Sequence, residues 1–249
     1  MEKKDLLKDV IKHIDIKSYN STELVDAMRN MSFTSRDTAR AADILMMMCK
    51  EKECTNILTL AGSTSAAGCM QVYVDMVRNK MIDVVVATGA SIIDMDLFEA
   101  LGFKHYIGEK ENVIPDTTLR DLYIDRIYDT YIDEEELQAC DHTTFEIANM
   151  LEARPYSSRE FIYEIGKWLH EGHAVKKDSL IQTCYECGVP IFVPAFSDSS
   201  AGFGIGKHQW ERMQKGEKYL SIDSVKDFVE LTQIKMQAPE TGLFMIGGG

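Results

Sequence analysis

Two short apolar segments, separated by a spacer with a helical pattern, constrain the fold of this chain more than any other feature. Residues 57–61 and 82–87 are typical of strands buried on both faces. Four apolar residues of the spacer recur at helical intervals: Met70, Tyr73, Val74 and Val77. Strand, helix and strand fit within roughly 30 residues, the length of a βαβ unit with a parallel strand pair. The sequence therefore predicts a parallel α/β sheet.

The predicted strands end in loops of small residues. Two further apolar segments, 189–193 and 242–246, extend the strand pattern. The four strands end at Ala61-Gly62-Ser63, Thr88-Gly89-Ala90, Ser197-Asp198-Ser199-Ser200 and Gly247-Gly248-Gly249. In an open parallel sheet all carboxyl ends lie on one edge, where ligands bind. We therefore predict that these loops are the walls of a nucleotide-sized crevice.

Asp198 has the strongest claim to a role among the acids of these loops. It stands among hydroxyl residues at a strand end, where a carboxylate can accept hydrogen bonds from ribose hydroxyls or pair with an amine. The alternative is a local role, in which Asp198 forms an Asx turn or caps a helix. The dinucleotide fingerprint G-x-G-x-x-G is absent, and we expect its nearest approximation, residues 202–207, to be a flexible loop.

Composition and charge limit the partners. The chain has 249 residues, 45% of them hydrophobic, which is enough for one large α/β domain or two small ones. A formal net charge of −13 disfavours non-specific nucleic-acid binding and favours small cations or basic proteins. No apolar stretch reaches the length of about 18 residues expected of a membrane span. Six scattered cysteines favour reduced thiols in the cytoplasm.

The remaining segments can be assigned more coarsely. Residues 1–35 predict an N-terminal arm with short helices, followed by an α/β domain over residues 36–249. Residues 103–160, acidic and aromatic, predict an insertion or a subunit-contact region. Capping residues predict one more helix, which begins after Ser179 and ends at Gly188. The run Met46-Met47-Met48 predicts core packing.

Three other patterns argue against redox, metal-dependent and serine-hydrolase chemistry. Cys184-x-x-Cys187 lies at the end of a predicted helix, where the dipole does not lower a thiol pKa, so we expect core packing. His170-Glu171-Gly172-His173 departs from H-E-x-x-H, and we expect no metal there. Ser63 and Ser65 lie outside G-x-S-x-G, which disfavours a serine hydrolase.

Five segments resemble the deoxyhypusine synthase family and follow in the same order. They are MSFTSRDTARAADIL (31–45), LAGSTSAAG (60–68), MVRNKMIDVVVATGASIIDMDLFEALGFKHYIG (76–108), GVPIFVPAFSDSSAG (188–202) and GLFMIGGG (242–249). The resemblance implies a Rossmann-like parallel sheet with helices on both faces, an NAD cofactor, and a homotetramer with active sites between subunits. It also implies a reaction, in which the aminobutyl group of spermidine passes through an imine on an enzyme lysine to an acceptor amine.

The acceptor distinguishes the functional hypotheses. In deoxyhypusine synthases it is one lysine of a translation factor precursor, and this is the leading expectation. In the related homospermidine synthases it is putrescine, which is a close alternative. A hypothesis of another class is a non-catalytic regulatory subunit that binds NAD or stabilises an active paralogue.

The resemblance assigns site residues position by position. The first NAD loop contains Gly62 and Ser63. The second contains Thr88, Gly89 and Ala90, with the acid Asp94 beside it. Asp198 and Ser200 match the loop shared by NAD and substrate. Gly248 and Gly249 match the start of a third NAD loop.

Two departures from the family pattern bear on activity. Family members of the eukaryotic type carry an amine-binding acid where this chain has Phe203. The family's catalytic lysine lies in a W-G-K motif beyond the triple glycine, whereas Trp168 and Trp210 occur in K-W-L and Q-W-E. We therefore assign no catalytic residue and expect that lysine beyond Gly249. The 249-residue chain is then expected to be inactive by itself, as an incomplete copy of a longer gene product; the alternative is a naturally short pseudoenzyme.

Overall fold

The computed structural model describes residues 1–108 and 113–247. Its strands are β1 (Cys54–Leu60), β2 (Val84–Ala87), β3 (His105–Ile107), β4 (Ile124–Ile127), β5 (Thr130–Asp133), β6 (Pro155–Tyr156), β7 (Ile191–Phe192), β8 (Ser221–Ile222) and β9 (Glu240–Ile246). Its α-helices are α1 (Lys3–Leu6), α2 (Thr22–Met28), α3 (Phe33–Lys50), α4 (Met70–Arg78), α5 (Phe98–Ala100), α6 (Asp116–Asp121), α7 (Glu134–Met150), α8 (Ser158–Trp168), α9 (Leu180–Cys187), α10 (Ser200–Gln214) and α11 (Ser224–Gln237).

Four parallel strands form the central sheet, in the spatial order β7-β2-β1-β9. Ile57 of β1 lies between Val84 of β2 and Leu243 of β9. In chain order these strands are third, second, first and fourth, so the direction of winding reverses between β1 and β9. A reversal of this kind opens a crevice at the carboxyl ends of the strands. The parallel α/β sheet is confirmed, and its four strands end on one edge, which we call the carboxyl edge.

The core lies between the sheet and the helices that connect its strands. Leu58 and Leu60 of β1 and Val74 and Val77 of α4 are all buried in one hydrophobic cluster. Full burial of a side chain of this size contributes about 1.5–3 kcal/mol. The predicted spacer helix is therefore held to the sheet by the apolar face that its spacing defines.

Capping residues determine the ends of α9. The Ser179 hydroxyl accepts the backbone N–H of Gln182 at 3.1 Å, and Gly188 ends the helix in the left-handed conformation. Both predictions are confirmed. Cys184 is buried on this helix and its thiol has a pKa raised by burial, as the core interpretation of the Cys-x-x-Cys pattern predicts. For Cys187 that interpretation is wrong, because its side chain is exposed at the end of the helix.

Part of the segment 103–160 packs into the same core as the sheet, and another part forms a second, smaller hydrophobic cluster. Strands β3, β5 and β4 form an antiparallel sheet, and Asp133 caps α7 by accepting the N–H groups of Glu135 and Glu136. Cys140 and Ile147 of α7 are buried in the main cluster. This segment brings α7 against α10, and that contact matters for the site described below.

The N-terminal arm is bonded to the α/β domain rather than projecting from it. The N–H of Ile11 donates to His105 O at 2.9 Å, and the N–H of Ile14 donates to Gly68 O at 3.0 Å. Farther along, Lys17 Nζ pairs with Asp75 at 2.7 Å. The arm therefore lies directly against the loop that follows β1.

Two sequence predictions are wrong. Residues 202–207 are not a flexible loop but part of α10, where the glycines allow close packing: a Cβ on Gly204 would overlap the Thr144 hydroxyl of α7. The Met46-Met47-Met48 run is not wholly core, because Met46 and Met47 are 52% and 68% exposed. Periodicity identifies the residues that share a helix face, but it does not say whether that face is covered.

The outer side of the molecule near β9 is apolar and exposed. Val225 and Phe228 of α11, and Leu243 and Met245 of β9, are all exposed. Within residues 1–108 and 113–247, no helix has both the length and the apolar character needed to cross a membrane.

Candidate functional site

The backbones of β1 and β9 remain in close contact at their carboxyl ends. Gly247 has a φ of +76°, and a Cβ there would overlap the carbonyl oxygen of Ala61. Gly62 also has a positive φ, +73°, but a Cβ on it would meet no atom within 4 Å. Gly62 therefore faces open space at the strand reversal, where the backbone of a turn can approach a ligand. Gly248 and Gly249 lie outside the described residues.

The loops after β1 and β2 are joined through one hydroxyl. Ser91 Oγ donates to Gly62 O at 3.3 Å and lies 3.0 Å from Thr88 Oγ1. Thr88 Oγ1 also accepts the Ser91 N–H at 3.3 Å, and the Thr88 N–H donates to Leu60 O at 3.0 Å. Thr88, predicted to contact a nucleotide, thus also caps the helical turn Ala90–Leu97. Ser91 belongs to the site and was not among the predicted contacts.

Gly89 lies where the loops after β2 and β7 contact each other. Its φ of −58° is ordinary for any residue. However, a Cβ on Gly89 would overlap Cβ of Ser199. The glycine in this turn is therefore required by packing between two loops, and it brings the second and third predicted loops into direct contact.

The structure separates the roles of the two acids predicted near this edge. Asp198 is exposed, and its N–H donates to Ala195 O at 3.0 Å in the turn after β7. The residue that caps α10 is Asp94, whose Oδ1 accepts the Ser200 N–H at 3.0 Å. The alternative capping role considered for Asp198 thus belongs to Asp94, which ties the loop after β2 to the first turn of α10.

A second carboxylate, Asp141 of α7, joins Asp94 at Ser200. Burial raises the pKa of both carboxyls to about 6, and hydrogen bonding by Ser200 counters that rise in each. The charge of Asp141 also raises the pKa of Asp94. Asp141 could not be identified from sequence, because it lies 59 residues from Ser200, in a segment predicted as an insertion or a subunit-contact region, and no local pattern links the two helices.

Ser65 supplies a polar group at the loop after β1. Its hydroxyl is buried, and among the described residues it has no hydrogen-bond partner. The neighbouring Thr64 hydroxyl is bonded to Tyr73 at 2.8 Å. A buried polar atom without a partner costs free energy unless a ligand or water satisfies it. The open face of Gly62 and the free hydroxyl of Ser65 both fit a phosphate-bearing ligand.

Another concave surface lies at the opposite end of the sheet. It is bounded by Ile162 and Tyr163 of α8, Tyr185 of α9, and the segment Val189 and Pro190 that precedes β7. None of the four loops of the carboxyl edge lines it. Ligands of open parallel sheets bind at the carboxyl ends of the strands, so we place the functional site at the carboxyl edge.

Comparisons with known proteins agree on one family. The family model described as "Deoxyhypusine synthase" matches residues 23–249. A deoxyhypusine synthase-like protein of Caulobacter vibrioides is 65% identical over 248 residues, which cover 100% of this chain and 67% of that protein. A protein of the same name in Coxiella burnetii is 58% identical over 247 residues, covering 99% of this chain and 69% of that one.

A solved structure shares the fold. It is that of an Entamoeba histolytica protein described as a deoxyhypusine synthase candidate, with a TM-score of 0.66 and 21% identity. The match covers 96% of this chain and 79% of that one. At this identity the likeness concerns the fold alone.

Proposed function

Because the chain belongs to the deoxyhypusine synthase family, we propose that its carboxyl edge binds NAD and spermidine for transfer of the aminobutyl group to an acceptor lysine of a translation factor precursor. The observation that carries this proposal is that the loops after β1, β2 and β7 contact one another in turn along the carboxyl edge, beside the reversal between β1 and β9. That position is where doubly wound sheets bind dinucleotides.

The residues of the loops fit an NAD molecule. Gly62 and Ser63 offer backbone to the pyrophosphate on the open side of the loop after β1, while Thr88-Gly89-Ala90 forms the adjoining wall. The exposed carboxylate of Asp198 is available to ribose hydroxyls or to an amine. When bound, NAD supplies the hydride acceptor for oxidation of the substrate amine.

The substrate side of the proposal rests on charge. Spermidine is a polycation at neutral pH, and the chain carries a formal net charge of −13. Asp198 and Ser200 lie two residues apart at the start of α10, so one loop can contact both NAD and the polyamine. We also propose a homotetramer; the exposed Phe203 and Trp210 on α10 support a subunit contact beside the site.

A binding experiment tests the NAD assignment. Isothermal titration of NAD into Asp198→Asn should show affinity reduced at least tenfold, because hydrogen bonds to a charged group contribute about 1.5–3 kcal/mol. Asp198 is exposed, so the exchange should leave the fold intact. Asp121→Asn, which removes an exposed carboxylate paired with Arg120, is the matched control. Equal NAD affinity in all three proteins would contradict the assignment.

A transfer experiment identifies the acceptor. Labelled spermidine and NAD are incubated with the translation factor precursor or with putrescine, using this chain and a chain that carries the W-G-K motif beyond residue 249. Label on the precursor supports the proposal. Labelled homospermidine without labelled protein would assign the diamine as acceptor. NAD binding without cleavage of spermidine by either chain would favour the non-catalytic subunit.

A further inference from the structure

We infer that Asp141 is a substrate-positioning residue, whose carboxylate binds one ammonium group of a linear polyamine together with Asp94. The inference rests on the proposed function and names a residue of the polyamine site outside the four loops. Asp141 lies on α7, yet it meets the carboxyl edge through Ser200 and Asp94.

Neither carboxylate is compensated by a cation of the described chain. The pKa of Asp94 reflects burial, hydrogen bonds from Ser200 and the charge of Asp141, and the pKa of Asp141 reflects burial and a hydrogen bond from Ser200; no lysine or arginine is among these influences. Lys207 of the facing helix instead lies over the ring of Phe145, 4.5 Å from its centroid. Two partly buried carboxylates side by side attract a cation from outside the protein.

The hydrogen bonds around the pair are also incomplete. Ser200 has one hydroxyl proton, so its side chain donates to only one of the two carboxylates at a time. Asp141 Oδ1 is buried and has no hydrogen-bond partner among the described residues. An ammonium group has three donors and can reach both carboxylates and the Ser200 oxygen. A primary amine of a polyamine therefore matches both the charge and the missing donors.

The position of Asp141 is fixed by backbone packing. A Cβ on Gly204 would overlap the Thr144 hydroxyl and would lie 2.6 Å from Asp141 O. The Thr144 hydroxyl in turn donates to Asp141 O at 2.7 Å. Helices α7 and α10 are therefore held together at the very turn that carries Asp141. A group held in this way can position a ligand without a large loss of side-chain entropy.

The experiment measures spermidine binding by calorimetry at saturating NAD. Asp141→Asn should bind spermidine at least tenfold more weakly than the wild-type protein, with NAD affinity unchanged within twofold. Glu146→Gln is the matched control, because Glu146 lies on the same helix and pairs with His142 on the exposed surface. It should leave both affinities within twofold of wild type.

The outcomes separate this inference from the proposed function. If the wild-type protein and Asp141→Asn bind spermidine equally well, the inference is wrong and the proposed function stands. If the wild-type protein binds NAD but no spermidine, both are wrong. Circular dichroism establishes that the variant is folded, and Asp141→Ser provides a second neutral variant that must show the same loss.

Discussion

Two acids that lie close together in sequence, Glu99 and Asp94, have opposite electrostatic surroundings. Glu99 of α5 is bonded to His13 at 2.6 Å and His105 at 2.8 Å, and it pairs with Lys176. Burial alone would raise the pKa of Glu99, but these hydrogen bonds and charges hold it well below its usual range. A few residues earlier, Asp94 shares Ser200 with Asp141 and has no such partner.

The contrast indicates that Glu99 joins parts of the fold, whereas Asp94 and Asp141 are suited to binding a ligand. The partners of Glu99 come from the N-terminal arm, from β3 and from the segment before α9, so this acid joins three parts of the fold. Asp94 and Asp141 have no lysine or histidine partner of this kind among the described residues, so ionisation of their carboxyl groups lowers the stability of the fold. Groups left in such a state are found where a ligand completes the charge balance.

The largest effect is expected from removing the joining acid. Glu99→Gln leaves Lys176 and two histidines without their carboxylate and should lower the free energy of unfolding by about 3 kcal/mol at pH 7. Because the folded pKa of Glu99 lies below the unfolded value, this stability is complete above about pH 5 and is lost as pH falls through the acid range. Urea unfolding at pH 7 and pH 4 measures both.

The control for that experiment is an exposed ion pair. Glu146→Gln removes a carboxylate paired with His142 on the surface of α7 and should change stability by no more than about 0.5 kcal/mol. A loss at Glu99 of the same small size would show that the buried cluster contributes no more than a surface pair, and the contrast would disappear.

An effect of opposite sign is expected at the uncompensated acids. Asp141→Asn should stabilise the unliganded protein by about 1 kcal/mol at pH 8, after allowance for solvent screening. The folded pKa of about 6 lies above the unfolded value, so the wild-type protein loses stability as pH rises between about 4 and 6. The gain should vanish at pH 4. If Asp141→Asn were less stable than the wild-type protein at pH 8, the ionised carboxylate of Asp141 would have to be compensated in the folded state, and the prediction would be wrong.

The smallest effect is expected in the arm. His13→Gln should lower global stability by less than about 1 kcal/mol, since Glu99 keeps both His105 and Lys176. The local effect should be larger: amide exchange over residues 9–14 should accelerate relative to the central sheet. Exchange rates that match those of the wild-type protein would show that the backbone bonds of Ile11 and Ile14 hold the arm by themselves.

The features predictable from sequence are those that depend on local chemistry. Ser179 and Gly188 mark the ends of α9 because a hydroxyl cap and a left-handed glycine act within one turn of helix. The parallel pairing of β1 and β2 follows from two apolar segments joined by a helix. The gathering of the loops at one edge then needs no further information.

The features that escaped prediction depend on contacts between distant segments. Residues 202–207 look flexible because glycine disfavours helices, yet packing of Gly204 against α7 outweighs that cost of about 1 kcal/mol. Asp141 enters the site through the same helix contact, which has no signature near position 141. Val225 and Phe228 of α11 have the spacing of an apolar helix face but are exposed, since spacing does not specify a covering partner.

The contact between Gly89 and Ser199 has a consequence for the evolutionary paths open to this protein. Cβ atoms at the two positions would overlap, so no sequence can carry one at both without moving a loop. A lineage can therefore acquire a side chain at position 89 only after position 199 has become glycine. In the reverse order, the intermediate protein has a Cβ at both positions, and the loops after β2 and β7 overlap there. The two substitutions are thus ordered in time, and a reconstructed ancestor with alanine at 89 should carry glycine at 199.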